Sequence, residues 1–284
     1  MGESPAAEID ITEELVRGLL AEQHPDLAHL PLRRAGEGWD NAIFRVGDEL
    51  CMRLPRRALS APLVLLEQRW LPVLAPHLPL PVPVPVRAGQ PSAALDYPWH
   101  WSVCPWLPGS PAESTPFADP LDAARQLGEL QAALHRPAPA DAPFNPYRGV
   151  PLAERDERFR QGLEALGDSI DARAALGRWD DLVQTPPWAG PPLWLHGDVH
   201  PLNVLVEDGR ISAVVDFGDI TAGDPASDLA GAWTMFEPDA RDAFRVAAGA
   251  AIPVDDDTWR RAEAWALALG VAMANGDERV AAFG

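Results

Sequence analysis

The stretch His196–Asp219, HGDVHPLNVLVEDGRISAVVDFGD, sets two short apolar runs between polar ends that carry Asp198, Asn203, Asp216 and Asp219. Apolar runs joined by an Asp-Gly turn read as a hairpin, so the pattern predicts loop, strand, a turn over Glu207–Gly209, strand, loop. A hairpin folded that way returns Asp216 to the end at which Asn203 enters. Asp and Asn beside a strand are ordinary turn formers when met singly. Their meaning therefore depends on the elements around them.

Toward the N-terminus, ITEELVRGLLAEQ carries Leu15, Val16, Leu19 and Leu20 at helical spacing behind Thr12, which predicts an opening helix with a Thr12 cap. AIFRVGDELCMRLP predicts a hairpin in which Ile43, Phe44 and Val46 lead through Gly47-Asp48 to Leu50, Met52 and Leu54. With Ser60 as cap and Pro62 in the first turn, the next helix aligns Leu63, Glu67, Trp70 and Leu74. Glu67 thus lies inside an apolar stripe. The proline-alternating LPLPVPVPVRAG forbids a helix and predicts an extended linker or edge strand. WHWSVCPWLPG predicts a strand ending at Pro108-Gly109, which divides the chain into an N-terminal domain, 1–107, and a C-terminal domain, 108–284. Beyond it the pattern is helical, with LDAARQLGELQAALH opened by Asp119-Pro120 and helices in ERDERFRQGLEAL and DARAALGRWDDLV. After the hairpin come a helix through ASDLAGAWTMF, capped by Asp224-Pro225, and a last long one in DTWRRAEAWALALGVAMA.

The bulk composition sets the bounds. A chain of 284 residues, 47% hydrophobic with 11 Trp, is globular and makes one large domain or two lobes. A formal charge of −19 disfavours nucleic acid and anionic membranes as partners, because both would be repelled. Neither a basic and apolar leader nor a long apolar run occurs, so a cytoplasmic location is expected. Cys51 and Cys104 read as small core residues in a reducing compartment, and four-ligand zinc spacing is absent. All 23 basic residues are arginine.

A strand-rich lobe with one main helix, a hinge, and a helical lobe interrupted by a hairpin resembles an α+β, bilobal protein-kinase-like fold. The motifs WLHGDVHPLNVLV, VVDFGDITAGDPASDLA, GWDNAIFRV and the Glu67–Ala75 stretch EQRWLPVLA resemble the aminoglycoside phosphotransferase family of small-molecule kinases, including its macrolide-phosphorylating relatives. The resemblance covers nearly the whole chain. Its core, H-G-D-x-H-x-x-N followed by an apolar strand and D-F-G-D, requires several rare polar types at fixed spacing. It implies Asp198 as the base that accepts a hydroxyl proton, with Asn203 and Asp216 as magnesium ligands. It also implies ATP or GTP as co-substrate and a further helix at 276–284. His196 and His200 then support the loop, Asp219 supports the metal site or its turn, and Asp228 is a buried brace.

Glu67 adds an argument of its own. A carboxylate in an apolar stripe is costly without a partner, so a cation must reach it. The resemblance places a lysine on the third strand for this role, and for the nucleotide phosphates. Here the stretch CMRLPRR puts Arg53 at that position, a departure that changes both size and hydrogen bonding. AGEGWDNAIF occupies the place of the phosphate-covering loop without a full G-x-G-x-x-G, with Gly36 and Gly38 for close approach and Trp39 and Asn41 to shape it. The hinge of the resemblance is SVCPWLPG, where backbone groups near Cys104, Trp106 and Leu107 would read the base while Pro105 cannot donate.

The resemblance implies a small-molecule hydroxyl as acceptor. The acidic residues Asp141, Glu154, Asp156, Glu157, Glu237, Asp239 and Asp255–Asp257 suit a cationic aminoglycoside-type antibiotic, although such residues are also ordinary surface. Trp179, Trp188, Trp233, Trp259 and Trp265 suit the core or the walls of a macrolide site equally. The readings carried forward are an aminoglycoside-type kinase, a macrolide or small-metabolite kinase of the same family, and a nucleotide-binding pseudokinase, for which Arg53 speaks.

Overall fold

The computed structural model describes residues 6–167 and 171–275, so the helix expected at 276–284 lies outside the described residues. The chain forms two compact units. Of the described residues, the first holds those up to Pro76 together with Val82–Leu107, and the second holds His77–Pro81 and those from Pro108 onward.

In the first unit, Thr12 accepts from the Leu15 N–H at the head of α1 (Glu13–Gln23), as its sequence predicts. The strands β1 (Leu32–Glu37), β2 (Asn41–Val46), β3 (Leu50–Pro55), β4 (Arg87–Gly89) and β5 (Trp101–Pro105) form an antiparallel sheet in the order β1-β2-β3-β5-β4. The β2–β3 pair is the expected hairpin, with Val46 opposite Leu50. Leu19 and Leu20 of α1 share one core with Phe44, Met52 and Trp101 of the sheet. The proline run yields an edge strand only at its end, in β4, because proline has no N–H for a ladder.

α2 (Ala61–Leu74) buries Leu63, Glu67, Trp70 and Leu74, the stripe read from the sequence. Ser60 does not cap it. Its backbone is helical and its hydroxyl donates to the Asp40 and Arg57 carbonyls at 3.2 and 3.1 Å, so buried acceptors outside the helix take the group. β5 stops at Pro105, before Pro108-Gly109, and the next N–H, that of Trp106, donates to Glu49 O at 2.7 Å. Cys51 and Cys104 face each other across β3 and β5 as free, buried thiols. Burial pushes the Cys51 thiol up to about 11, which makes it unreactive.

The second unit opens with β6 (Ser110–Pro111) and α3 (Pro120–Leu134), whose cap Asp119 accepts from the Leu121 and Asp122 N–H groups. α4 (Asp156–Leu166) and α5 (Ala172–Leu182) follow. β7 (Leu193–Leu195), β8 (Val204–Glu207), β9 (Arg210–Val214) and β10 (Thr221–Gly223) make two small sheets, β6-β8-β9 and β7-β10. The helix read through ASDLAGAWTMF is two short ones, α6 (Ala226–Leu229) and α7 (Gly231–Met235).

Two further helices complete it, α8 (Pro238–Ala248) and α9 (Asp256–Ala274). α8 has no counterpart in the sequence reading. Its buried residues Ala240, Phe244 and Ala248 recur every four positions with charged residues between them, so the helical pattern is present although two of the three are small, and Val246 points outward. It packs on α3 at Gly128, where a Cβ would lie 2.6 Å from the Phe244 carbonyl oxygen. Asp224 does more than cap. One oxygen accepts from the Ala226 N–H, and the carboxylate pairs with buried Arg261 at 2.7 Å, fastening α9 to α6. Among the described residues no helix is long and apolar enough to cross a membrane.

Candidate active site

The loop from β7 to β8 hangs on Asp228, a fully buried carboxylate of α6. Its Oδ2 accepts from the His196 N–H at 2.7 Å and its Oδ1 from the Gly197 N–H at 2.8 Å, while His135 Nε2 lies 3.4 Å from Oδ2. Gly197 has φ +90°, and a Cβ there would sit 2.3 Å from the Asp219 carbonyl oxygen. Only glycine lets the loop pass so close. His196 Nδ1 accepts from the Asp198 N–H at 3.1 Å, so Nε2 carries the proton and donates to Val215 O at 3.0 Å. Burial pushes this imidazole below its ordinary value, which keeps it neutral, and its ring packs on Phe217.

Every oxygen of the Asp198 carboxylate is engaged. Oδ1 lies 3.1 Å from an Arg148 guanidinium nitrogen, and Oδ2 lies 2.9 Å from His200 Nε2 and 3.1 Å from Asn203 Nδ2. Burial alone would raise its pKa, but the charge and hydrogen bond of His200, then the charge of Arg148, hold it well below the ordinary carboxylate range. Burial likewise opposes the charge on His200, yet the Asp198 carboxylate raises that imidazole above its ordinary value.

Asn203 Nδ2 also donates to Asp198 O at 2.9 Å, which turns the amide oxygen Oδ1 away from Asp198. The Val215 N–H donates to Asn203 O at 2.9 Å, so the hairpin brings Asp216 beside Asn203 at its open end. Asp216 has φ +64°, a left-handed backbone that a non-glycine residue keeps only where the surroundings enforce it. Among the described residues, no group of three or more His, Cys, Asp or Glu side chains is arranged to hold a metal ion. A magnesium ion that keeps waters and phosphate oxygens needs only one or two protein carboxylates. The Asp216 carboxylate with Asn203 Oδ1, two hard oxygen donors, fits that requirement.

Arg148 and Asn145, absent from the sequence reading, complete this cluster. Arg148 Nε donates to Gly197 O, and one terminal nitrogen sits 3.1 Å from Asp198 and 3.3 Å from Asp219. Asn145 Nδ2 donates to the other Asp219 oxygen at 2.8 Å. The Asp219 side chain is therefore occupied in tying the segment after Asp216 to the Asp198 loop. An arginine in the proline-broken stretch from Pro137 to Pro151 reads as a solvated loop residue. The available signal was the excess of acids, since several carboxylates gathered in one buried place require a cation.

In the first unit, Arg53 reaches Glu67 at 2.6 Å, with their side chains 9% and 2% exposed, so the cation demanded by Glu67 is Arg53. Gly38 N–H donates to Asn41 O at 2.9 Å, closing the turn between β1 and β2. Cys104 is buried in the sheet, and Leu107 ends the unit. Because the Trp106 N–H is spent on Glu49 O, it is not a donor for a base. Its ring lies under the Arg45 guanidinium at 4.7 Å.

The family model described as "Phosphotransferase enzyme family" matches residues 31–265. The chain belongs to this family. It is 28% identical over 175 residues to the uncharacterized protein YcbJ of Bacillus subtilis, a match covering 56% of this chain and 51% of the relative. The chain thus spans about half the length of that curated relative. Among solved structures, it resembles macrolide 2'-phosphotransferase MphH from Brachybacterium faecium, at 26% identity and TM-score 0.63, over 95% of this chain and 96% of that one. It also resembles the GDP complex of wild-type aminoglycoside 2'-phosphotransferase-IIIa, at 19% identity and TM-score 0.70, over 95% of each chain. The α+β fold of this phosphotransferase-family chain is the kinase-like fold of these proteins.

The His200–Asp198 contact gives the protein a pH signature. A histidine whose folded pKa is raised contributes stability that is full below its unfolded value and lost as pH rises through the folded value. The gap in unfolding temperature between the wild type and His200→Asn is expected to be widest below pH 6.5 and to narrow at higher pH. A gap that does not change with pH in thermal scans would show that the pair carries no charge.

Proposed function

We propose that the chain transfers the γ-phosphoryl group of ATP or GTP to a hydroxyl of a small molecule, most readily an aminoglycoside-type one. The observation that carries this reading is the Asp198 carboxylate, half-buried, held ionised, and hydrogen-bonded to Asn203 at the hairpin end that also bears Asp216. Asp198 accepts the hydroxyl proton as the oxygen attacks phosphorus. Asp228 and His196 fix the loop that carries it. Asn203 Oδ1 and the Asp216 carboxylate would hold magnesium, which when bound neutralises the nucleotide phosphates. Arg53, set by Glu67, supplies a fixed positive charge for the same phosphates. Gly38 and Asn41 would cover them, and the backbone at Cys104 and Leu107 would meet the base.

The formal charge of −19 favours a cationic acceptor, and an aminoglycoside phosphotransferase is among the structural relatives. Many of the acids already have structural partners. Asp156 binds Arg160 and the Trp179 indole, Asp255 caps α9, and Asp256 meets Arg245. A macrolide acceptor is the second reading. Trp179 and Trp265 are core, but half-buried Trp233 and Trp259 line a cavity of about 300 Å3 in the second unit, and the macrolide enzyme is the more identical structural relative described above.

The deciding experiment incubates the chain with magnesium, ATP or GTP, and a panel of aminoglycosides, macrolides, amino alcohols and sugars, and reads phosphorylated products by mass spectrometry. An added phosphate on an aminoglycoside is the expected result. Nucleotide binding without transfer to any acceptor would instead make the chain a pseudokinase.

A further inference from the structure

The turn joining β1 to β2 carries Gly38, and Gly36 lies in β1 just before it, yet neither has a positive φ. A Cβ at Gly36 would meet nothing within 4 Å, and one at Gly38 only Asn41 O at 3.8 Å. The turn therefore owes its shape to something other than glycine's backbone freedom.

Its carbonyls supply the answer, for four in succession are held. Gly38 O accepts from an Arg56 guanidinium nitrogen at 2.9 Å and Trp39 O from Arg57 at 3.3 Å. Asp40 O accepts from the Arg56 N–H at 2.9 Å and the Ser60 hydroxyl at 3.2 Å, and Asn41 O from the Gly38 N–H at 2.9 Å. The same Arg57 nitrogen lies 3.2 Å from Asp40 Oδ1. Arg56, Arg57 and Asp40 are all buried.

In a planar trans peptide the N–H points opposite to the C=O. Drawing Gly38 O onto Arg56 aims the Trp39 N–H away from that arginine, and drawing Trp39 O onto Arg57 does the same for the Asp40 N–H. Peptide N–H groups turned outward attract an anion, whereas outward carbonyls repel it. Asp40 pairs with Arg57, so at Arg57 the arrangement acts through orientation more than through net charge.

We propose that Arg56 and Arg57 are positioning residues for the phosphates of a bound nucleoside triphosphate, clamping two carbonyls so that the following peptide N–H groups face the anion. The proposal rests on the nucleotide-binding reading above. It assigns to these arginines discrimination for the phosphates and no part in reading the base.

The test is calorimetry on the full chain with magnesium, using ATP, GTP, adenosine and guanosine as titrants against the wild type, Arg57→Ala and Arg57→Lys. Arg57→Ala is expected to weaken the preferred triphosphate about tenfold, or about 1.4 kcal/mol, while leaving its nucleoside unchanged. Arg57→Lys should recover part of the loss. A merely structural role would weaken nucleoside and triphosphate together, and that result, or an unchanged triphosphate affinity, overturns the proposal. Should Arg57→Ala fail to fold, the same ratio in Arg57→Lys decides, with a selective loss of triphosphate supporting the clamp. A wild type that binds neither ATP nor GTP overturns the functional reading and the clamp together. Normal binding with an unaltered ratio in the variants overturns the clamp alone.

Discussion

Asp198→Asn is expected to slow phosphoryl transfer by roughly a hundred- to ten-thousand-fold, the usual contribution of a positioned general base. The amide keeps the shape of the carboxylate but cannot take the hydroxyl proton. Its NH2 must also face a donor, either Arg148 or the His200 and Asn203 pair, because each carboxylate oxygen now accepts from one of them. The donor on that side loses one acceptor, although Arg148 keeps Asp219 and Asn203 keeps Asp198 O, so a smaller loss of stability accompanies the loss of transfer. Single-turnover transfer and nucleotide affinity measured on the same sample separate these effects. A variant that binds nucleotide and transfers at the wild-type rate would remove Asp198 from the role of base.

Asp228→Ala is expected to be among the most destabilising single changes in the second unit. It leaves the His196 and Gly197 N–H groups without an acceptor in a place water does not reach. At about 1–3 kcal/mol for each orphaned donor, the loss is about 2–6 kcal/mol. The same two amides tether the loop that carries Asp198, so transfer should fall along with stability. Hydrogen exchange at His196 and Gly197 gives the local reading, and it should accelerate strongly in the variant. Unchanged exchange there would mean that the loop is held by other contacts.

How far the sequence could be read depended on the physical form of each signal. The stripe of Leu63, Glu67, Trp70 and Leu74 was legible because one charged residue broke an apolar line, and the same anomaly required the cation that Arg53 supplies. Asp198, Asn203 and Asp216 stood out because rare polar types fell at both ends of one hairpin. α8 carried a legible helical pattern in Ala240, Phe244 and Ala248, but what could not be read is where it packs, since its fit depends on Gly128 of a distant helix. Arg148 and Asn145 were hidden for a related reason. Their partners, Asp198 and Asp219, are remote in sequence, and their own surroundings look like a solvated loop. Ser60 misled because capping is a local preference, and the buried carbonyls of Asp40 and Arg57 outbid it.

The pairing of Arg53 with Glu67 also decides which reagents can find this site. In a chain whose 23 basic residues are all arginine, electrophiles that acylate side-chain amines have no target, on the third strand or anywhere else. A vicinal dicarbonyl, which condenses with guanidines, is the reagent class matched to the chain. Nor can alkali discharge the pair in the way it would discharge a lysine, because a guanidinium holds its proton up to about pH 12. The phosphate recognition proposed for Arg53 should therefore persist across the alkaline range in which the fold survives.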